Sequence, residues 1–504
     1  MRRCLYWPVS PILLGLYPVL YIYSLNLGLV APSVLWNPLM IAFMAAIALN
    51  GFCALCVRDW RRGALVADTV LFFSYLLTSF IDAYFPWIYE SSLSQLAGCF
   101  IIVMIVAAAW TVGRILRKTA EWRPWTAIAN VCIALLLVSP LLQIGWFHLT
   151  ILKPQTGPPP ATVRNVPRPD VYYVILDGYT RADILAQYFG YDNKPFIRFL
   201  WRKGFYVASQ SQSNYAYTHL SLASSLNMEY IQDINAAPGQ QAECIRRIEN
   251  NIVMRIFMAN GYRVMKYAPT WLIRDQEPYT ETTFNPRTVN EFENLVLKQF
   301  LLSAFLKQGV MNMYKVRALY TLHRLETIPQ GRRPKFIFAH VLCPHPPYVF
   351  DREGNTPEPK IYAHRPAGSH DWYPKSRYAD QVHYLNTLVE KTIDGILKNS
   401  KTPPLIIIQG DHGAACDGTS DHPTPLMVRE RISILNAYYV PPEVRKQLYP
   451  TITPVNTFRL ICSYLFQGHF TLLPDRSYYS GPMDVLPYKF KDVTNLLEEK
   501  KEKS

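Results

Sequence analysis

The chain has 504 residues, half of them apolar, and a formal net charge of +14. That length calls for more than one independently buried unit. The basic balance alone would admit a nucleic-acid partner, but the placement of the apolar residues argues against one.

Five apolar runs come first, roughly Pro11–Ala31, Trp36–Val57, Ala64–Ile81, Leu96–Val112 and Trp125–Ile144. Each approaches or reaches the ~17–25 residues that carry a helix across a bilayer. Five such runs close together are foreign to soluble cores. A cleaved signal peptide also fits poorly, since the first run lacks a small-residue cleavage site and four more follow. Arg2 and Arg3 precede the first run. Arg58, Arg61 and Arg62 lie between the second and third, and Arg114, Arg117, Lys118 and Arg123 between the fourth and fifth. The other two loops carry no Lys or Arg, so the alternation places the amino terminus in the cytoplasm and the chain after about residue 148 outside. Asp68 and Asp82 fall near the ends of the third run, where a carboxylate can reach the interface. The runs therefore read as an anchor rather than a transporter. Nucleic-acid binding is not expected of an outer domain, whose basic character suits anionic lipid or phosphate.

Residues 149–168 form a Pro-rich linker. Past it, Val171–Leu176, Tyr262–Tyr267, Lys335–Leu342 and Leu405–Gln409 read as strands, while Thr283–Val310 and Ala379–Lys398 have helical spacing. The alternation predicts a single α/β domain over 169–487, with a mainly parallel sheet and helices on both faces. A charged tail, 488–504, ends the chain. Cys244, Cys343, Cys416 and Cys462 face an oxidising compartment in this topology, which allows one or two disulfides. The outer part has no Cys-x-x-Cys zinc pattern.

Four segments at strand ends carry chemistry. Asp177-Gly178 follows the first strand, and Thr218 stands at the apparent N-cap of a helix running to about Met228. His340 and His345 flank the exit of a third strand. Asp411-His412 follows Leu405–Gln409 and is itself followed by Asp417, Asp421 and His422. Taken singly, Asp177 and Thr218 read more readily as helix caps. Asp411-His412 does not, because ionisable clusters just past buried strands are expensive unless used. Together, Asp177, Thr218, Asp411 and His412 supply three metal-binding side chains and a hydroxyl that coordination would activate. Mixed oxygen and imidazole ligands favour Zn²⁺ or Mn²⁺ over Ca²⁺. His345 and His422 would then hold phosphoryl oxygens or protonate a leaving group.

At these residues the chain resembles the alkaline phosphatase superfamily. Within it, the chain is similar to the membrane-anchored sulfatase-like transferases, namely lipid A phosphoethanolamine transferases and lipoteichoic acid synthases. The resemblance implies an α-helical membrane domain of five spans (1–148) with an alkaline phosphatase-like outer domain. It also implies one divalent metal on Asp177, Thr218, Asp411 and His412, with Zn²⁺ favoured, Mn²⁺ or Mg²⁺ as alternatives, and a second metal left open. Thr218 would be the nucleophile carrying a covalent phospho-intermediate, and His340, His345 and His422 would contact substrate. The implied donor is a membrane phospholipid, and the acceptor an envelope lipid or glycan. The implied location is a bacterial-type cytoplasmic (inner) membrane with the catalytic domain periplasmic. Asp177 departs from the Glu that phosphoethanolamine transferases use there. Thr180 is a competing nucleophile. The Cys/Ser-x-Pro-x-Arg sulfatase signature is absent, which disfavours sulfate ester hydrolysis. A hydrolase of the same fold and a non-catalytic envelope scaffold are the alternatives.

Overall fold

The computed structural model describes residues 6–84, 94–118, 122–150, 168–236, 239–269, 272, 279–284, 290–299, 303–329, 331–357, 372, 374–481 and 486–497. Most of the expected linker (151–167) and the end of the expected tail (498–504) lie outside them. The chain divides into two compact units. One comprises Met1–Pro154, Val289–Val310 and Glu358–Ala363, and the other the remainder.

The first unit holds five apolar helices, α1 (Ser10–Leu25), α2 (Trp36–Val57), α3 (Trp60–Tyr84), α4 (Ser94–Lys118) and α5 (Arg123–Thr150). Four of them contain stretches long and apolar enough to cross a membrane. The first is shorter than its apolar run suggested. It covers 16 residues and ends at Leu25, so it spans only about 24 Å at ~1.5 Å per residue. Small residues let these helices approach closely. A Cβ on Gly63 would lie 2.5 Å from Ala54 Cα, and one on Gly15 would lie 2.9 Å from Ala46 Cβ. Asp68 is buried, and Ser10 Oγ donates to its Oδ2 at 2.6 Å, which pins α1 to α3. The side chain of Asp82 lies outside the described residues. The helix Glu291–Lys298 groups with this unit, with Phe292 edge-on to Tyr23 in α1.

The second unit is built on seven strands in the order β2-β7-β6-β1-β5-β3-β4. They are β1 (Val171–Leu176), β2 (Tyr206–Val207), β3 (Arg263–Tyr267), β4 (Thr282–Phe284), β5 (Lys335–Val341), β6 (Leu405–Gln409) and β7 (Asn436–Tyr439). Only β7 runs against its neighbours. The central strands β6, β1 and β5 are parallel and buried along their whole length. That is why they are continuous apolar runs in the sequence, and it requires helices on both faces. On one face Tyr172, Val174 and Leu176 join a core with Val382, Leu385 and Val389 of the helix Lys375–Asn399. On the other, Tyr173 packs on Phe458 of the helix Pro454–Phe466, and its hydroxyl donates to Gln409 Oε1 at 2.8 Å.

One helical expectation fails. Thr283 belongs to β4, whose β-branched pair Thr282-Thr283 lies alongside Met265 and Lys266 of β3 at the open sheet edge. Helix resumes only at Glu291, where Asn290 and Glu293 form a capping box, and a separate helix runs from Ser303 to Glu326. Of the expected tail, Lys491–Asp492 pairs with Tyr478–Tyr479. Cys244, Cys343, Cys416 and Cys462 are all buried free thiols, so the disulfides that an oxidising compartment would allow are not formed.

Candidate metal centre and active site

Parallel strands end on one edge, so β1, β5 and β6 deliver their following residues to a common place. In register, Ile175 of β1 faces His340 on one side and Gln409 on the other. Asp177 and Asp411 therefore leave the sheet a residue or two beyond the level of His340.

Gly178 makes the turn after β1 possible. It has φ +73°, and a Cβ there would lie 2.4 Å from the Trp372 ring. Its N–H donates to Asp411 Oδ1 at 3.0 Å, and its carbonyl accepts from the Tyr378 hydroxyl at 2.7 Å. The turn after β6 is equally constrained. Gly413 passes so near the next helix that a Cβ would lie 2.1 Å from the Glu430 carbonyl oxygen. Asp411 Oδ1 also accepts from the His412 N–H at 3.0 Å, which leaves Oδ2 bare.

His412 Nδ1 lies 2.9 Å from the Gly413 carbonyl, which can only accept. The ring proton is thereby assigned to Nδ1, and Nε2 presents its lone pair. That lone pair faces Thr218 Oγ1 at 3.1 Å, Asp411 Oδ2 at 3.5 Å and Asp177 Oδ1 at 3.6 Å. His340 Nε2 lies 3.2 Å from Asp177 Oδ2. Ligand atoms of Asp177, His340 and Asp411 all fall within 4.8 Å of one another. The four side chains Asp177, His340, Asp411 and His412 are at most 3% exposed.

Asp177 Oδ1 and Asp411 Oδ2 are buried and accept no hydrogen bond. Two bare carboxylate oxygens converging beside an imidazole lone pair repel one another, and both have lost their water. A divalent cation would resolve that conflict and accept the lone pair as well, so the donor set fits a metal. Burial and then the Asp177 charge push the Asp411 carboxyl upward. Burial opposes charge on Asp177 as well, but His345 and His340 outweigh it and hold that carboxyl below its usual range. Burial and then Arg431 push His412 well down, which favours the neutral imidazole.

Thr218 enters one residue differently from expectation. The helix is Thr218–Asn227 and its cap is Tyr217, in extended conformation, so Thr218 is the first helical residue. Its hydroxyl is not spent on a backbone amide and is instead the atom that meets His412. Thr218 is also partly exposed, unlike the carboxylates behind it. The first amides of its helix have no intrahelical acceptor. Ser213 ties this segment to the metal turn by donating to the Asp411 carbonyl at 2.5 Å.

The remaining candidates are spread more widely. His345 borders the cluster. Its N–H donates to the Asp177 carbonyl at 2.9 Å, and its ring lies 6.2 Å from that of His412. Thr180 is fully buried and donates its hydroxyl to the Ser433 carbonyl at 3.0 Å. Asp417 pairs with Lys375 at 3.0 Å. His422 is exposed, with its N–H on Ser420 Oγ, and no contact links it to the cluster. Sequence reasoning passed over Arg431 and Trp372. The Arg429-Glu430-Arg431 triplet looks like a solvated helix face, yet Glu430 and Arg431 are buried.

Residues 169–458, more than half of the chain, match the family described as Sulfatase. The chain belongs to the sulfatase family. This sulfatase-family protein is a sulfatase-like transferase or hydrolase, carried behind apolar helices. Among solved structures it is similar to the periplasmic domain of EptC from Escherichia coli in complex with Zn, at 14% identity, with 65% of this chain and 93% of that one covered and a TM-score of 0.43. It is also similar to the integral membrane lipooligosaccharide phosphoethanolamine transferase EptA from Neisseria meningitidis. There the identity is 12%, the coverage 91% and 95%, and the TM-score 0.37. A glycosaminoglycan-metabolism sulfatase of Bacteroides thetaiotaomicron matches at 14% identity, with 63% and 81% covered and a TM-score of 0.39. No curated protein matches the chain.

Proposed function

We propose that this protein is a membrane-anchored, metal-dependent transferase. It moves a phospho-substituent, of phosphoethanolamine or phosphoglycerol type, from a phospholipid to an envelope lipid or glycan. The observation that carries this reading is the hydroxyl of Thr218. It is partly exposed, sits 3.1 Å from a lone-pair nitrogen, and is backed by two bare carboxylate oxygens. Asp177, Asp411, His412 and Thr218 would hold the cation, with His340 orienting Asp177. Zn²⁺ or Mn²⁺ suits this donor set better than Ca²⁺. When bound, the cation lowers the pKa of the hydroxyl and draws charge from the phosphoryl oxygens.

In the first half-reaction Thr218 Oγ1 gives up its proton to solvent and forms a bond to phosphorus, and the bond from phosphorus to the diacylglycerol oxygen breaks. His345, on the border of the cluster, would give that oxygen a proton. In the second, an acceptor hydroxyl loses its proton and bonds to the same phosphorus, the bond from phosphorus to Oγ1 breaks, and Oγ1 takes up a proton to restore Thr218. The apolar helices would anchor the chain in the membrane that holds the lipid donor, and the loop arginines would favour a periplasmic outer domain.

The test is mass spectrometry of Thr218-containing peptides after the full chain meets phospholipid vesicles. The expected result is an added mass equal to one phospho-headgroup on Thr218, discharged when acceptor is supplied. Discharge at the same rate without acceptor would make the protein a hydrolase. An unmodified Thr218 in a metal-loaded, donor-consuming protein would refute the nucleophile.

A further inference from the structure

Arg431 is only 4% exposed, yet among the described residues no carboxylate comes within ion-pair distance of its guanidinium. A buried charge of this kind is costly unless something answers it. Part of the answer is neutral. Nε donates to the Ala216 carbonyl at 2.6 Å and Nη1 to the Gly413 carbonyl at 3.1 Å. Tyr217 and Trp372 lie near its faces, their ring centroids 5.1 and 5.5 Å away. The third donor, Nη2, points at His412 Nε2 from 3.3 Å.

That last contact competes with the metal. One lone pair on Nε2 cannot serve both a cation and an N–H, so a cation held there would free Nη2 from its acceptor. The freed N–H would lie on the Thr218 side of the ring, since Thr218 Oγ1 and Nη2 meet the same nitrogen at 3.1 and 3.3 Å. A phosphoryl group on Oγ1 would carry its non-bridging oxygens to that side of the ring. The two carbonyl bonds keep the guanidinium aimed there.

We propose that Arg431 is the anion-holding residue of this active site, donating through Nη2 to a non-bridging oxygen of the phosphoryl group carried at Thr218. The transfer reading above supplies only the substrate; the anion site stands on the guanidinium itself. A planar guanidinium fixed by carbonyls presents its remaining donors in one direction, which a lysine cannot reproduce. It would stabilise the charge that builds on phosphorus in both half-reactions without moving.

The experiment uses the full chain, metal-loaded in detergent micelles, as wild type, Arg431→Met and Arg431→Lys. Inorganic phosphate is titrated into each calorimetrically, and metal content and unfolding temperature are recorded alongside. The expected result is phosphate affinity weakened about tenfold or more in Arg431→Met and by less in Arg431→Lys, with metal content unchanged. In the transfer assay kcat falls about a hundredfold while KM stays near that of the wild type. Equal phosphate affinity at equal metal content overturns the proposal, and so does a wild type that binds no phosphate. Loss of metal and fold in both variants also overturns it, since Arg431 would then be a framework clamp alone. Arg431-dependent phosphate binding in a protein that never forms a Thr218 adduct supports the anion site and sinks only the transfer reading.

Discussion

The two halves of the loop that follows β6 behave oppositely, although a dozen residues contain both. Asp411, His412 and Gly413 are buried and hydrogen-bonded to three other segments, through the Gly178 amide, the Ser213 hydroxyl and the Arg431 guanidinium. Asp421 and His422 are exposed. Asp421 lies 3.9 Å from Lys489, and His422 has a local turn bond. The same residue types thus differ in the number of distant backbone segments that hold them. Immobilised groups can be left with bare lone pairs, and bare lone pairs bind cations. Groups that can turn to water cannot be frustrated in this way.

The largest effect should come from the constrained half. Asp411→Asn and His412→Ala are expected to lose bound metal and to lower transfer by more than about a hundredfold, beyond what outer-shell changes cause. Metal content by mass spectrometry and activity on the same preparation check this. Asp421→Asn, carried in parallel, should keep both. If Asp421→Asn loses metal as well, the contrast between the halves is wrong.

Next come two threonines near the same turn. Thr218→Ala should abolish the phospho-adduct and retain metal. Thr180→Val should retain the adduct but destabilise the domain by ~1 kcal/mol, because the Ser433 carbonyl loses its nearer donor and keeps the Arg181 N–H at 3.3 Å. Thermal unfolding and peptide mass spectrometry separate the two. An adduct that disappears from Thr180→Val at unchanged stability would exchange their roles.

Gly413→Ala should act through geometry. The new methyl would meet the Glu430 carbonyl, and neither backbone can yield without shifting His412. A loss of ~1–3 kcal/mol is expected from such overpacking, with weakened metal binding before any global unfolding. Full metal affinity in this variant would show that the turn is less rigid than its contacts imply.

The parts of this molecule legible in the sequence are those where burial is continuous. β1, β5 and β6 are covered on both faces and so are written as unbroken apolar runs, each with its chemistry attached to the end. The edge strand β4 has three residues and no such signature, which is why Thr283 read as helix. Arg431 was illegible for a different reason. A charged residue two positions from another arginine looks solvated, and what buries it is distant in sequence: the Ala216 and Gly413 carbonyls and the Tyr217 and Trp372 rings. The one-residue difference at Thr218 has the same origin, since what removes it from the cap is its partner 194 positions away.

The smallest effect is expected at His422. An exposed imidazole with no contact to the metal cluster offers a substrate at most a solvent-screened interaction, worth ~1 kcal/mol or about fivefold. His422→Ala should therefore keep metal, adduct formation and unfolding temperature, with any loss confined to KM. Its partner for comparison is His345→Ala. That residue is anchored through its own N–H to the Asp177 carbonyl, and its loss should lower kcat instead. A drop of more than about a hundredfold in kcat for His422→Ala would exceed any screened contact. It would mean that the outer half of the loop folds over bound lipid and joins the chemistry, erasing the division between the two halves.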